Sequence, residues 1–140
     1  MFWHGKKKMV KRIKSPIGVR FCDTDMIGHI NNCAIAEYAE YGRVCFFRDL
    51  KLSAARLILV NLNIDFVGQM HLEDEVWIET WVEGIGTTSI TLAQELFANG
   101  KVTGRTRSVV LTFDYENNKP APVPQELRDA LAAYIENADV

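Results

Sequence analysis

The chain has 140 residues and a mass of 15.9 kDa, a size at which one domain folds without disulfides or a structural metal. Apolar residues make up 48% and charged residues 24%, which excludes wholesale disorder. Sixteen basic and eighteen acidic side chains give no nucleic-acid signature. No apolar run is long enough to cross a bilayer. We therefore expect neither a nucleic acid nor a membrane as a partner.

The first elements predicted are a strand, a polar loop and a long helix. Residues 17–22 are strand-like, and the loop follows from Asp23 to Asn32. Between Cys33 and Leu50, apolar residues recur at helical spacing and no proline intervenes. Asn31 or Asn32 can cap this helix, because an asparagine side chain accepts hydrogen bonds from first-turn N–H groups.

The remainder predicts a sheet and a short helix. Alternating apolar and polar residues indicate strands at 58–66, 76–82, 90–97 and 101–113. Asn99-Gly100 is typical of a two-residue hairpin turn, whose central positions both need positive φ. We predict an α+β fold in one domain over 1–140, with an antiparallel five-stranded sheet against one long helix. A basic N-terminal arm covers 1–14, and a short C-terminal helix covers 124–137.

A single helix cannot cover a five-stranded sheet completely, so self-association is expected. Trp77 and Trp81 share one strand face, and we expect that face to pack on another subunit or on the helix. The three cysteines, Cys22, Cys33 and Cys45, are odd in number and have no CxxC spacing. That pattern argues against a disulfide framework or a zinc site and favours a reducing cytoplasm.

The densest cluster of functional groups is the loop 23–32, which reads Asp-Thr-Asp-Met-Ile-Gly-His-Ile-Asn-Asn. It runs directly into the predicted helix, whose unpaired N–H groups can stabilise a developing oxyanion. A carboxylate beside such a helix start can attack a carbonyl or activate water. The loop therefore suits acyl-transfer chemistry. Asp23 is interpreted as a turn residue, since aspartate bonds its own backbone in loops.

This stretch resembles the hot-dog-fold acyl-CoA thioesterases, in particular the 4-hydroxybenzoyl-CoA thioesterase-like group. That group carries D-x-D-x-x-G-H-[VI]-N-N, which matches the loop, and then a helical E-x-x-R, which matches Glu40 and Arg43. Residues 65–74 and 86–89 are also similar to the family. The resemblance implies a hot-dog fold and hydrolysis of an acyl-CoA thioester to a carboxylic acid and free CoA, with no cofactor and no metal. It further implies a homo-oligomer, a dimer of dimers with each active site between two subunits.

The resemblance also assigns roles around the helix start. It makes Asp25 the catalytic carboxylate and the backbone N–H near Asn32 the oxyanion donor. The candidate substrate-binding residues are His29, Asn31, Ile35 and Tyr38. Ile35 stands where family members usually have an aromatic residue, and Gly68 stands where a proline is often found.

Several alternatives stay open. Cys33 at the helix start, with His29 four residues earlier as its base, can be a nucleophile, although an isolated cysteine is more often a small core residue. Glu37 can be the helical carboxylate that a second branch of hot-dog thioesterases uses. Glu40 and Arg43 are interpreted as a surface or interface ion pair, which has little energetic weight if it is exposed.

The binding partners and the class of activity also have alternatives. His71 is interpreted as an exposed turn residue. Candidates for the CoA phosphates are Lys101, Arg105, Arg107 and the N-terminal lysines. The alternative function is a non-catalytic hot-dog module that binds acyl-CoA or acyl groups.

Overall fold

The computed structural model describes residues 10–53 and 56–136, and its main element is one antiparallel sheet. The five long strands lie in the order β1-β3-β4-β5-β2. A two-residue strand, β6 (Lys119–Pro120), pairs with β5. The long strands are β1 (Ile13–Ile17), β2 (Leu57–Phe66), β3 (Val76–Ile85), β4 (Ser89–Ala98) and β5 (Lys101–Asp114).

The main helix, α1, covers Asn32–Asp49 and has 18 residues. Asn31 is its N-cap, because the Asn31 side chain accepts a 2.7 Å hydrogen bond from the Ala34 N–H. A second helix, α2 (Gln125–Leu131), continues into a 3-10 turn at Ala132–Tyr134. The helical part is therefore α1 together with short helices rather than α1 alone.

The prediction of a first strand at 17–22 is wrong. β1 covers Ile13–Ile17, so it takes in the end of the predicted basic arm, and Phe21–Asp23 forms a 3-10 turn. Residues 1–9 of that arm lie outside the described residues. In the part of the chain that the structure describes, β1 is an edge strand that pairs only with β3, which is why it tolerates Pro16, a residue without a backbone donor.

The predicted hairpin turn between β4 and β5 is confirmed. Asn99 has a φ of 51° and Gly100 a φ of 85°. These are the positive values that a two-residue turn between antiparallel strands requires. The turn sets the pairing of Ala98 with Lys101 and of Phe97 with Val102, and the register then shifts between Phe97 and Leu96, which pairs with Gly104.

Helix α1 lies very close to the sheet at Gly42. A Cβ at that position would come within 2.8 Å of both Gln94 Nε2 and Ile78 Cγ2. Gln94 Nε2 donates a 3.0 Å hydrogen bond to the Ala39 carbonyl oxygen of the helix. This close approach fixes the height of α1 above β3 and β4, and hence the position of its N-terminus.

The tryptophan face of β3 is occupied within the chain. The Trp81 ring is buried, with the Arg12 guanidinium 3.8 Å from its centre, and Trp81 Nε1 donates to Glu136. Trp77 stacks on Phe97 with ring centres 5.2 Å apart. The expectation that Trp81 packs on α1 or on another subunit is therefore wrong, since Arg12 and Glu136 already cover it.

Exposed apolar residues lie in the segment before α1, where Phe21, Met26 and Ile27 are 74–103% exposed, and also on and next to the other edge strand, β2. Leu59, Val60, Phe66 and Val67 are each 41–52% exposed. Within the described residues, β2 pairs only with β5. None of the described helices is long and apolar enough to span a membrane.

Candidate active site

The loop between β1 and α1 is folded as a tight, internally bonded unit. Thr24 and Ile30 form an antiparallel bridge, and the Asp25 N–H donates 2.7 Å to the His29 carbonyl. Gly28 completes the turn with a φ of 82°, a conformation that glycine adopts without steric cost. The loop is thus closed on itself by its own backbone.

Asp25 sits at the exposed end of this unit. Its Oδ1 accepts hydrogen bonds from the Ile27 N–H at 2.9 Å and the His29 N–H at 3.0 Å. Among the described residues, no group bonds Oδ2. The two backbone donors fix the direction of the carboxylate and leave one oxygen available to a substrate or a water molecule.

The N-terminus of α1 begins seven residues after Asp25. The N–H groups of Asn32 and Cys33 have no acceptor among the described residues, and both residues are exposed. The first N–H groups of a helix carry partial positive charge and attract anions. A carboxylate and the unpaired N–H groups of a helix start therefore belong to one short segment of the chain.

A histidine that the sequence interpretation set aside lies beside the loop. The Ile30 N–H donates 2.7 Å to the Met70 carbonyl, which places the His29 and His71 rings 5.0 Å apart. The Asp74 carboxylate accepts from the His71 N–H at 2.8 Å. Burial raises the pKa of Asp74, but hydrogen bonds from His71 and Asn99 outweigh it and hold the pKa below its usual value. The side chain of His71 is 53% exposed, and only the long-range strand pairing reveals its position.

Asp23 bonds the local backbone, as expected of a turn residue, by accepting from the Arg20 N–H at 3.0 Å, but it is also buried. It is 2% exposed, and its carboxylate accepts from the Tyr38 hydroxyl at 2.6 Å and from Arg20 Nη2 at 2.8 Å. Burial raises the pKa of Asp23, but the hydrogen bonds from Tyr38 and Arg20 outweigh burial and lower it overall. Burial and the Asp23 carboxylate together raise the pKa of Tyr38.

Ile35 and Tyr38, the two residues predicted to shape the acyl pocket, are both buried in the core. Ile35 is 5% exposed and packs in the core cluster that holds Ile78 and Leu96. Tyr38 is also 5% exposed, and its ring helps to line a surface cavity of about 260 Å³ beside Ile17 and Gly18. The Tyr38 hydroxyl donates its proton to Asp23, so it is not free to donate to a substrate.

The helical acids and Arg43 have different environments from those expected. Glu37 forms a 3.0 Å ion pair with Arg20. Arg43 is 7% exposed, so the surface form of the expected pair with Glu40 is wrong, and the interface form stays a prediction. Burial lowers the pKa of Arg43, and its Nη1 is buried without a hydrogen-bond acceptor among the described residues.

The remaining candidates lie on the surface. Cys33 is exposed and not in a disulfide. Arg105 pairs with Glu95 at 3.2 Å and Arg107 with Glu83 at 2.7 Å, on the sheet face opposite α1. No three His, Cys, Asp or Glu side chains within residues 10–53 and 56–136 are placed to hold a metal ion.

A family model described as the thioesterase-like superfamily matches residues 19–131, which is most of the chain. The chain belongs to this superfamily. The resemblance that the loop motif indicated is thereby confirmed. The match includes the loop, α1 and the four long strands β2 to β5.

The fold of this superfamily member is also similar to the folds of solved thioesterase structures. A structure described as a predicted thioesterase from Bacillus stearothermophilus is 32% identical, covers 89% of this chain and 97% of its own, and has a TM-score of 0.83. A thioesterase from Thermus thermophilus, complexed with coenzyme A and Zn, is 26% identical over 86% of this chain and 92% of its own, with a TM-score of 0.79. The antiparallel sheet and α1 thus have the hot-dog arrangement of thioesterases.

The sequence of one curated relative matches only part of this superfamily member. The uncharacterized protein YsmA of Bacillus subtilis (strain 168) is 29% identical over 80 residues, which are 54% of this chain and 54% of the relative. The matched region therefore spans about half the length of that relative.

Proposed function

We propose that this protein is an acyl-CoA thioesterase. The observation that carries the proposal is the placement of Asp25. Two backbone N–H groups orient its carboxylate, and the unpaired N–H groups of Asn32 and Cys33 begin seven residues later. A carboxylate and an oxyanion site on one rigid loop are what hydrolysis of a thioester requires.

The proposed reaction follows from these two features. Asp25 either takes a proton from water, which then adds to the thioester carbonyl, or attacks the carbonyl itself to form an anhydride that water hydrolyses. The carbonyl oxygen becomes an oxyanion and is stabilised by the Asn32 N–H. Collapse of this intermediate breaks the C–S bond and releases CoA as a thiolate, which takes up a proton. Because thiolate leaves readily, the reaction needs no strong general acid.

The comparisons support both the reaction class and the carrier. The 32% identical structure is described as a predicted thioesterase, and the 26% identical thioesterase is complexed with coenzyme A. His29 and Asn31 would shape the site: the His29 N–H holds Asp25, and the Asn31 side chain caps α1. Neither residue needs to touch the substrate to act in this way.

The direct test is release of free thiol from a panel of short, long, branched and aromatic acyl-CoAs. We expect turnover of at least one class by the wild-type protein and loss of turnover in Asp25→Asn. Binding of acyl-CoA with no thiol release from any member of the panel would instead support the alternative, a non-catalytic module.

We further propose that the working form is a homo-oligomer, with a dimer formed across β2 and a dimer of dimers as the complete assembly. The exposed apolar residues of the β2 region, 41–52% accessible at Leu59, Val60, Phe66 and Val67, support a second copy at this edge, because unpaired apolar edge strands favour association. The free Cys22, Cys33 and Cys45 support a reducing compartment, the cytoplasm.

A further inference from the structure

Asp23 forms hydrogen bonds with three different segments of the chain. Its own N–H donates to the Arg20 carbonyl at 2.9 Å, and its carbonyl accepts from the Asn31 N–H at 2.8 Å. Its side chain accepts from the hydroxyl of Tyr38, which lies within α1. The entry to the loop, the exit from the loop and the helix are therefore all bonded to one residue.

Arg20 strengthens this junction from outside. It binds the Asp23 carboxylate through its backbone N–H at 3.0 Å and through Nη2 at 2.8 Å. The same Nη2 reaches Glu37 on α1 at 3.0 Å. Charge-assisted hydrogen bonds are stronger than neutral ones, and those on Asp23 are sheltered from solvent because Asp23 is buried.

The groups proposed to act on the substrate are placed by this junction. Asp25 is two residues from Asp23, and the free N–H of Asn32 directly follows Asn31, which is bonded to the Asp23 carbonyl. A change at Asp23 therefore alters the distance between the carboxylate and the oxyanion site. Catalysis is sensitive to such changes, since a misplacement of about 1 Å can cost on the order of 100-fold in rate.

We infer that Asp23, held by the Tyr38 hydroxyl and Arg20, is a positioning residue that sets the geometry between Asp25 and the N-terminus of α1. The inference rests on the proposed function, because it assigns Asp23 and Tyr38 a part in that reaction. Neither side chain touches the substrate. The Tyr38 hydroxyl thus acts through Asp23, while the Tyr38 side chain also lines the surface cavity beside Ile17 and Gly18.

The test compares two buried tyrosines that each lose one hydroxyl. Tyr38→Phe removes the donor to Asp23. Tyr134→Phe is the matched control, since Tyr134 is 8% exposed and packs on Phe46, 5.5 Å away between ring centres, in the other part of the core. For each variant we would measure kcat and KM with the best acyl-CoA, and amide hydrogen exchange of residues 23–31.

Positioning predicts a specific pattern. Tyr38→Phe should lower kcat about 10-fold, a smaller loss than the roughly 100-fold that a misplacement of about 1 Å can cost, with KM changed less than about twofold. Exchange in the loop should rise while exchange in β3 and β4 stays at the wild-type level. Tyr134→Phe should change neither kcat nor loop exchange. Asp23→Ala should cost about 100-fold in kcat, and Asp23→Asn, which retains an acceptor of the same shape, should recover part of it.

Two results would overturn the inference. One is a Tyr38→Phe variant with wild-type kcat and wild-type loop exchange. The other is an equal loss of kcat in Tyr38→Phe and Tyr134→Phe, which would show a general packing effect. The exchange measurement also separates this inference from the proposed function. If no acyl-CoA is hydrolysed, the proposed function fails, while faster loop exchange in Tyr38→Phe alone still supports the junction.

Discussion

Replacing Asp25 by asparagine tests the proposed chemistry with little disturbance of the loop. The asparagine side-chain oxygen can still accept from the Ile27 and His29 N–H groups that bond Oδ1, at 2.9 and 3.0 Å, in the wild type. Asp25 is exposed, so the loss of charge leaves no buried group unpaired. We therefore expect a change in the free energy of unfolding of less than about 1 kcal/mol.

The effect on catalysis should be far larger. An amide neither takes a proton from water nor forms an anhydride, and loss of such a group lowers the rate by roughly 100-fold or more. A 100-fold loss corresponds to about 2.7 kcal/mol of transition-state stabilisation. The expected result is thus a kcat at or below about 1% of wild type in a variant that unfolds at nearly the wild-type temperature.

Asp114→Asn provides the matched control for this substitution. Asp114 also bonds two backbone N–H groups of its own turn, those of Glu116 at 3.0 Å and Asn117 at 3.2 Å. It lies at the end of β5, outside the loop between β1 and α1. Thiol release by Asp114→Asn should match the wild type.

A well-folded Asp25→Asn variant that keeps most of the wild-type kcat would refute the assignment of the catalytic carboxylate. Glu37 would then be the next acid to replace. It is exposed on α1 and forms an ion pair with Arg20 at 3.0 Å. If Glu37 is the catalytic carboxylate, Glu37→Gln should lose kcat where Asp25→Asn does not.

Three further predictions concern the Cys33 thiol, the oligomeric state and the stability of the fold at low pH. Cys33→Ala should keep most of the thiol-release activity, because alanine preserves the backbone N–H and the side chain is exposed; loss of activity in a folded variant would support the thiol nucleophile. Light scattering should give the wild-type protein a molar mass that is a multiple of the 15.9 kDa chain. Val60→Lys puts a charge on the exposed edge of β2 and should lower both the measured mass, toward that of one chain, and the activity. A fully active one-chain species would contradict a shared site. Folding lowers the pKa of Asp23 from 3.8, so the Asp23 carboxylate stabilises the folded protein above that unfolded value, and this stabilisation is lost as the pH falls through the lower folded value. Calorimetry in acid should therefore show the unfolding temperature of the wild type falling more steeply with pH than that of Asp23→Asn. Parallel curves for the two proteins would refute this.

Much of the architecture could be predicted because it is encoded over short stretches. The 18-residue α1 differs from the predicted helix by one residue at each end, since its periodicity and its Asn31 cap are local signals. The turn at Asn99-Gly100 was equally local, because φ preferences belong to the residues themselves. The motif at 23–32 likewise predicted the candidate carboxylate in the loop that leads into α1.

The first strand could not be placed in this way. β1 is short and carries Lys14 and Pro16, so its own pattern is weak, and its position depends on pairing with Thr80 to Val76 of β3, more than 50 residues away. Trp81 gave an equally misleading local signal. Its face alternates like a solvent-exposed or interface surface, but Arg12 and Glu136, from opposite ends of the chain, cover it.

The sequence by itself determined which chemical groups this protein places before a helix, because residue identity and helix propensity are properties of the local chain. Only the tertiary structure decided their environments. Asp23 and Asp25 are two residues apart and chemically identical, yet one is buried against Tyr38 and the other faces solvent. His71 joins His29 only because the chain returns at Met70 to pair with the loop. Burial and long-range pairing depend on how elements distant in sequence pack together, and no local pattern of residues encodes that packing.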